Sequence, residues 1–438
     1  MNLLDALYLP AAIATAPWWA RKARGGWRER FGKFAELPAP APGRKRVLLH
    51  AVSVGEVNTL RGLVPLLAAK ADVVVSATTD TGLARAHDLF AKPGSAPLAH
   101  VVRYPLDFSP AVRRFLDAVR PDAVGLVELE LWPNFVREAV RRSIPLCVIN
   151  GRLSARSFRG YHRFRSFFAR TFGALEFAAV QDAAYAERFS AMGVRPDHVR
   201  ITGSMKWDSV SLDDRVPGAE EVAANLGIDR SRPLIVAGST GPLPPPSTRY
   251  RVDGPGALTE ERLFSNACPP AAQLLCAPRK PERFDEAFAA MGGESRCARR
   301  SLTMIDPAAP NAPRLDRFLL DTIGELRAAY SLADIAIVGR SFGDLHGSDP
   351  IEPIALGKPT LIGPRYGDFE SIVETFRAAG AIQIVDAAEL GAALSALLAD
   401  PGRREAMADA GRECVRANQG ATARHADMLF QLTGVGVI

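Results

Sequence analysis

Two glutamates stand two residues apart, Glu128 and Glu130, in the stretch VELELWPN, after the apolar run 123–127. Side chains at that spacing on an extended segment point the same way. The pattern therefore predicts a carboxylate pair at a strand end, beside Trp132 and Pro133. Like charges held that close raise the pKa of one partner unless they are paired or used. A third acid, Glu56, opens a helix pattern in HAVSVGEV, where Ser53 and Gly55 predict a tight turn after a strand. A carboxylate there suits a general base that takes a proton from a hydroxyl. It equally suits an ordinary first-turn acid favoured by the helix dipole. His50 reads as a satisfied strand-end side chain. Lys206, in TGSMKWD, is either a cation for charge that develops on a transferring group or a solvated linker lysine. Arg152, Arg156 and Arg159 in NGRLSARSFRGY, with Arg163 and Arg165, form a basic patch. Such a patch fits a phosphorylated or acidic acceptor, or a solvated helix face.

The second half carries a different chemistry. Gly238, Ser239 and Thr240 in AGSTGP form a small-residue loop after a strand, a candidate phosphate cradle. It lacks the lysine of a Walker loop, which argues against an ATPase. APRKPERF brings Arg279, Lys280 and Arg283 to a strand end, and DTIGELRAAYSLAD offers Asp321 or Thr322 as an N-cap with Glu325 in the first turn. The stretch 334–364 reads as strand, Gly-rich loop, short helix and strand, with Asp349 as N-cap, Pro350 in the first turn and Glu352 just inside. Helix-start amides can receive hydroxyls or phosphate. Each feature alone is generic. Their recurrence after successive strands favours a common site.

The elements that position these residues alternate. Apolar runs at 47–52, 72–77, 100–104, 123–127, 145–149, 177–180 and 199–201 are separated by helix patterns at 56–69, 82–90, 110–119, 133–142 and 183–192. A second series has strands at 233–237, 273–277, 317–320, 334–338, 360–362 and 381–385. Its helices fall at 282–291, 323–331, 371–379, 387–398 and 403–417. This is α/β with two parallel, doubly wound sheets, whose ligands belong at the carboxyl ends of strands. The expected division is 1–36 as an anchor and basic segment, 44–206 as the acceptor domain, 207–230 as an irregular linker, 231–418 as the nucleotide domain, and 419–438 as a last helix that is a candidate for returning to the first domain. Residues 243–258 (LPPPSTRYRVDGPGAL) have no period and read as a surface insert.

Residues 3–20 are apolar apart from Asp5, and the basic run 21–30 follows them. A secretory signal has the opposite charge order. Positive charge after the run favours a cytoplasmic location for the rest of the chain. Three readings stand: a short spanning helix, an interfacial helix with Trp18 and Trp19 at headgroup depth, or a helix packed on the core. The chain has 438 residues, 47% hydrophobic and 23% charged, with net charge +6. That balance suits anionic partners without implying nucleic acid. Five scattered cysteines with no CxxC argue for a reducing compartment. No metal-ligand spacing is present among the histidines.

Taken together, HAVSVGEV, ELELWPN, NGRLSARSFRGY, TGSMKWD, AGSTGP, PRKPERF, DTIGELRAAYSLADIAIVGRSF and DPIEPIALGKP resemble the 3-deoxy-D-manno-octulosonic acid (Kdo) transferases of lipid A. The likeness spans nearly the whole chain. It implies a GT-B fold, two Rossmann-like domains facing a cleft, and an inverting, metal-independent enzyme without a cofactor. The implied donor is CMP-Kdo and the implied acceptor a phosphorylated lipid A precursor, at the cytoplasmic face of the inner membrane. By the same resemblance Glu56 is the general base, and Glu128 and Lys206 stabilise the transition state. Pro278 and Arg279, then Ile323, Gly324 and Glu325, then Asp349, Pro350, Ile351 and Glu352, contact CMP. The chain departs from the family pattern where Asp349 replaces a common Asn, Lys280 a His and Gly151 an Ala. The insert also separates Gly238–Thr240 from Glu260 and Glu261, which usually follow closely. A UDP-sugar enzyme of the same fold, or a non-catalytic membrane-bound scaffold, are the alternatives.

Overall fold

In the first strand, β1 (Arg46–Ala51), Val47, Leu49 and Ala51 pack on one face and Leu48 on the other, all fully buried. A strand buried on both faces belongs to a parallel sheet covered by helices on each side. The computed structural model describes residues 5, 6, 8, 25–94, 96–243, 259–302 and 315–434. Within them lie two compact units, one running to Ser209 and resuming at Asn418, the other spanning Val210–Ala417.

The first unit adds β2 (Asp72–Ala77), β3 (His100–Arg103), β4 (Ala123–Val127), β5 (Leu146–Gly151), β6 (Phe177–Val180) and β7 (Val199–Ile201). They form one parallel sheet in the order β3-β2-β1-β4-β5-β6-β7. The second unit has β8 (Leu234–Thr240), β9 (Gln273–Pro278), β10 (Cys297–Arg299), β11 (Arg317–Leu319), β12 (Ile335–Val338), β13 (Thr360–Ile362) and β14 (Ile382–Ile384). Its order is β10-β11-β9-β8-β12-β13-β14, again parallel. The chain reverses its direction of growth between β1 and β4 in one sheet and between β8 and β12 in the other. Such a switch point opens a crevice beyond the strand ends, because the flanking connections depart to opposite faces.

Several expectations need correction. The stretch expected as an irregular linker contains the helix Ala219–Leu226, whose Ala219, Val222, Ala223 and Leu226 are buried in the second unit. Their spacing is that of a helix stripe, framed by Gly218 and Gly227, both at positive φ. The unit boundary accordingly falls at Ser209 and Val210, and the second unit closes at Ala417. The helix expected over 56–69 is broken into Val54–Thr59 and Leu63–Ala68. Pro65 lacks the amide that a continuous helix would need and is tolerated in the first turn of a new one. The edge strand β10 has no apolar run to announce it. Most of the expected anchor, including Trp18 and Trp19, lies outside the described residues, as does all but Leu243 of the insert. No helix among the described residues is long and apolar enough to cross a membrane. Asp5 is fully buried and accepts from the Ser109 amide at 2.9 Å, while the Tyr8 hydroxyl donates to Asp107 at 3.1 Å. All five cysteines are buried and none is joined in a disulfide.

The helix Ala421–Thr433 packs Ala426, Leu429 and Phe430 into the core that contains Val47 and Leu49. Asp208 caps it, accepting from the amides of Gly420 and Thr422, each at 2.6 Å. His425 donates from Nδ1 to the Ala421 carbonyl at 2.6 Å and accepts at Nε2 from the Asn150 amide at 2.8 Å. Burial depresses its pKa to about 4, so the ring is neutral and can make both bonds. Loss of a helix cap costs roughly 1–2 kcal/mol. Asp208→Ala is therefore expected to lower the first unit's stability by about that much in urea titrations, whereas Asp208→Asn, which keeps one acceptor oxygen, should lose less.

Candidate active site

At the switch point of the first sheet, the loops after β1 and β4 carry the acidic residues. Glu56 is half-buried in the first turn of Val54–Thr59. Its Oε2 accepts from the Val52 amide at 2.8 Å and its Oε1 from the Ser53 hydroxyl at 2.8 Å. Gly55 lies inside this helix, so the expected tight turn is a helix start with Ser53 at its N-cap. Burial raises the Glu56 pKa above its ordinary value, the bonds from Val52 and Ser53 oppose that, and the charge of Glu128 adds to it. Glu56 thus combines a capping geometry with an environment that favours its protonated form more than water does.

Glu128 is not extended as the spacing predicts: its φ is 58°, in the left-handed region. Its amide donates to the Ile149 carbonyl at 3.0 Å, and its own carbonyl accepts from the Arg152 amide at 3.4 Å. A non-glycine residue in that conformation is strained and held by its surroundings. Glu130, which the resemblance assigns no role, is the more perturbed acid. Burial, then the charge of Glu56, push its pKa up to about 7, with Glu128 adding to the rise and the Trp132 indole N–H, 2.9 Å away, opposing it. Glu56, Glu128 and Glu130 are therefore one coupled acidic cluster. Behind it the His50 ring stacks on Tyr104 at 3.5 Å, and burial lowers the His50 pKa to about 3. Among the described residues only Nδ1 of His50 has partners, on Ser76, so the ring is half satisfied.

Asn150, at φ 52°, draws in the loop after β7: its Oδ1 accepts from the Met205 amide at 3.1 Å. Lys206 follows directly and is half-buried. Arg152 is half-buried at the end of β5, while Arg156 is exposed on Ala155–Arg163, a helix that buries none of its residues. Exposed Phe164 and Phe167 continue that surface on the following turn and helix.

In the second unit, the expected nucleotide residues lie at or beyond the carboxyl ends of four adjacent strands, β11, β9, β8 and β12. Gly238, Ser239 and Thr240, expected as a loop, are instead the last three residues of β8, and a Cβ on Gly238 would sit 1.9 Å from the Tyr330 hydroxyl oxygen. Ser239 is at φ 57°. The Thr240 carbonyl accepts from the Arg279 amide at 3.1 Å, so the loops after β8 and β9 are joined, with Pro278 buried and Arg279 exposed. Ile323 is exposed, Gly324 has φ 98°, and Glu325 is the N-cap of Leu326–Leu332. The expected caps are displaced: Asp321 instead accepts from Ser301 and Arg299, because the helix begins later. Glu325 pairs with Arg300 at 2.8 Å. Asp349 accepts from the Ile351 amide at 3.0 Å, with Pro350 at the N-cap position of Ile351–Ala355. Burial raises the Glu352 pKa, Arg327 opposes that, and Asp349 adds to it. The charges of Glu352 and Asp349 also reach Tyr330, which groups these acids with Gly238 around one buried ring.

Tyr330, Arg327 and the burial that perturbs Glu130 escape the sequence reading. Tyr330 sits in an apolar helix pattern with nothing local to mark it, and its importance arises from the glycine beneath it. Among the described residues no group of three or more His, Cys, Asp or Glu could hold a metal ion. A carboxyl whose folded pKa is raised contributes stability that is complete below its ordinary value and is lost as pH rises through the folded one. With Glu130 shifted from 4.5 to about 7, Glu130→Gln is expected to be more stable than the wild type at pH 8 and no more stable at pH 4. Urea midpoints at both pH values check this; an equal effect at both would disprove the coupling.

A sequence model described as 3-Deoxy-D-manno-octulosonic-acid transferase (kdotransferase) matches residues 25–209. The 3-deoxy-D-manno-octulosonic acid transferase of Bordetella pertussis is 34% identical over 423 residues, covering 95% of this chain and 94% of that protein. The Haemophilus influenzae enzyme of the same name is 29% identical over 407 residues, covering 92% and 90%. Among solved structures, UDP-GlcNAc 2-epimerase from Neisseria meningitidis matches with a TM-score of 0.56 at 13% identity, covering 88% of this chain and all of that one, which speaks to the fold alone. With two doubly wound Rossmann-like units, an acidic cluster at one switch point and near full-length similarity to these enzymes, the chain belongs to the 3-deoxy-D-manno-octulosonic acid transferase family of glycosyltransferases.

Proposed function

We propose that the protein transfers Kdo from CMP-Kdo to a phosphorylated lipid A precursor, lipid IVA, with inversion and without a metal. The observation that carries this reading is the half-buried Glu56, whose pKa is raised by burial and which stands at the β1 end beside Glu128 and Glu130. Glu56 takes the proton of an acceptor hydroxyl while that oxygen attacks the anomeric carbon of Kdo. The bond to the CMP phosphate breaks, and CMP leaves with the electron pair. Glu128 and Lys206 act on the charge that develops on the transferring group. Arg279, with the carboxyl end of β8 at Gly238, Ser239 and Thr240, meets the phosphate, because cations and backbone dipoles can stabilise a leaving phosphate without metal. Glu352 takes ribose hydroxyls, and Pro278, Ile323, Gly324, Glu325, Asp349, Pro350 and Ile351 line the nucleotide. Asp349, where Asn is common, accepts but does not donate, so a nucleotide donor group must face it.

Arg152 and Arg156 take the acceptor's phosphates. The exposed Phe164 and Phe167, among the arginines of 155–172, support an approach to an anionic lipid surface at the cytoplasmic face of the inner membrane.

Transfer from CMP-Kdo to lipid IVA in vitro, with product mass read directly, tests the reading and counts the sugars added. Glu56→Gln keeps an acceptor for the Val52 amide but cannot take a proton. It is expected to lower kcat by about 10²–10⁴-fold with CMP affinity unchanged. Persistence of full transfer would remove Glu56 as base. Cytidine nucleotides should raise the thermal midpoint and uridine nucleotides should not. An equal response would point instead to a UDP-sugar enzyme. Chelator should leave the rate unchanged.

A further inference from the structure

We propose that Glu260 is the positioning residue of the donor side, holding the loops after β8 and β12 at the spacing that presents Gly238–Thr240 to the donor's phosphate. This deepens the functional reading above and rests on it. Glu260 is fully buried in the first turn of Glu260–Ala267. Its Oε2 accepts from the amides of Gly241 at 2.8 Å and Arg340 at 2.6 Å. Its Oε1 accepts from Ser341 at 3.0 Å and Phe342 at 3.1 Å. One carboxylate thus satisfies four backbone donors from two loops, which uses its full acceptor capacity.

The two loops are in backbone contact. The Gly339 amide donates to the Gly238 carbonyl at 2.8 Å, and a Cβ on Gly339 would lie 2.7 Å from Thr240 Cα. Ser239 and Arg340, at φ 57° and 60°, face this junction from each side, so neither loop adopts a relaxed path by itself. The third loop is tied on through Ser341, whose hydroxyl accepts from the Gly363 amide at 2.8 Å. β8 and β12 flank the switch point of the second sheet, so the carboxylate sits where the crevice for ligand opens.

Glu261 completes the arrangement from the other side. It accepts from the Thr240 hydroxyl at 2.5 Å and pairs with Arg283 at 3.0 Å. Arg283 in turn reaches the Thr240 carbonyl at 3.4 Å. The chain between these partners is long, yet its ends are closed. Pro242 and Thr259 form an antiparallel bridge, and the Glu260 amide donates to the Gly241 carbonyl at 3.1 Å. The insertion therefore leaves the glutamate pair in register with the loop it serves. Residues 244–258 are accordingly dispensable for donor binding, whereas Glu260 is not.

The experiment uses the full chain as wild type, Glu260→Gln, and a variant with 244–258 replaced by two glycines. CMP affinity is measured by calorimetry and donor KM and kcat by transfer from CMP-Kdo, with circular dichroism as a check on folding. Glutamine keeps one acceptor oxygen and turns an NH₂ toward two amides. Glu260→Gln is expected to weaken CMP binding and raise donor KM about tenfold or more, with kcat changed far less, because leaving buried donors unpaired is costly. The loop replacement should keep CMP affinity within about twofold, since the bridge and cap that close it remain. If Glu260→Gln does not fold, hydrogen exchange on the wild type decides. CMP should slow exchange at Gly241 and at 340–342, and unchanged exchange there would overturn the proposal. Wild-type CMP affinity retained by a folded Glu260→Gln would overturn it alone. Loss of CMP affinity in the loop replacement would overturn the dispensability of the insert. A wild type that binds no CMP would overturn the functional reading and this proposal with it.

Discussion

Parallel strands end with backbone amides that the sheet does not satisfy, and helices begin with amides that have no partner within the helix. In this protein carboxylates supply the missing acceptors. Asp107 takes the amides of Asn134 and Phe135 at the start of one helix, and Asp208 those of Gly420 and Thr422 at another. Glu56 takes Val52, and Glu260 takes four amides from two loops. The ordering of the loops rests on this exchange. A carboxylate gains enough from several N–H donors to remain where burial would otherwise exclude it. The loops, in turn, gain a fixed geometry that apolar packing alone does not impose.

The same interaction carries chemical consequences. Burial raises the pKa of Glu56, Glu130 and Glu260, while the amide, hydroxyl or indole donors around them lower it. The balance leaves acids that titrate above the ordinary carboxylate range, Glu130 and Glu260 at about 7. At the first switch point this leaves Glu56 and Glu130 with pKa values above the ordinary carboxylate value. At the second it produces a structural clamp, because every lone pair of Glu260 is already engaged. Identical side chains thus take different parts according to how many donors surround them. Glu128 belongs to the first group by its influence on the neighbouring acids, and its left-handed backbone shows that the strand end is held, not relaxed.

Much of the architecture was legible because its causes are local. Apolar runs of strand length alternate with helix stripes, and both sheets follow from them. The order of short motifs carried the family. The helix Ala219–Leu226 was missed although Ala219, Val222, Ala223 and Leu226 are spaced as one stripe, because the polar residues before it masked the pattern. The site was only partly legible. Reading Glu128 and Glu130 as an extended pair failed because Ile149 and the Arg152 amide, on a neighbouring strand and its loop, set the Glu128 backbone.

What the sequence by itself determined is therefore the alternation of elements, the placement of acids, cations and glycines at their ends, and membership of the family. These depend on residue type and on spacings of a few positions, which the chain states directly. The tertiary structure alone decided which strand ends are neighbours. It brought Glu130 into the field of Glu56, set Tyr330 over Gly238, and returned Glu260 to Gly241 across an insertion and to Arg340 across a separation of 80 positions. Each of these rests on strand order, which is selected by burying both faces of a sheet at once and not by any local preference.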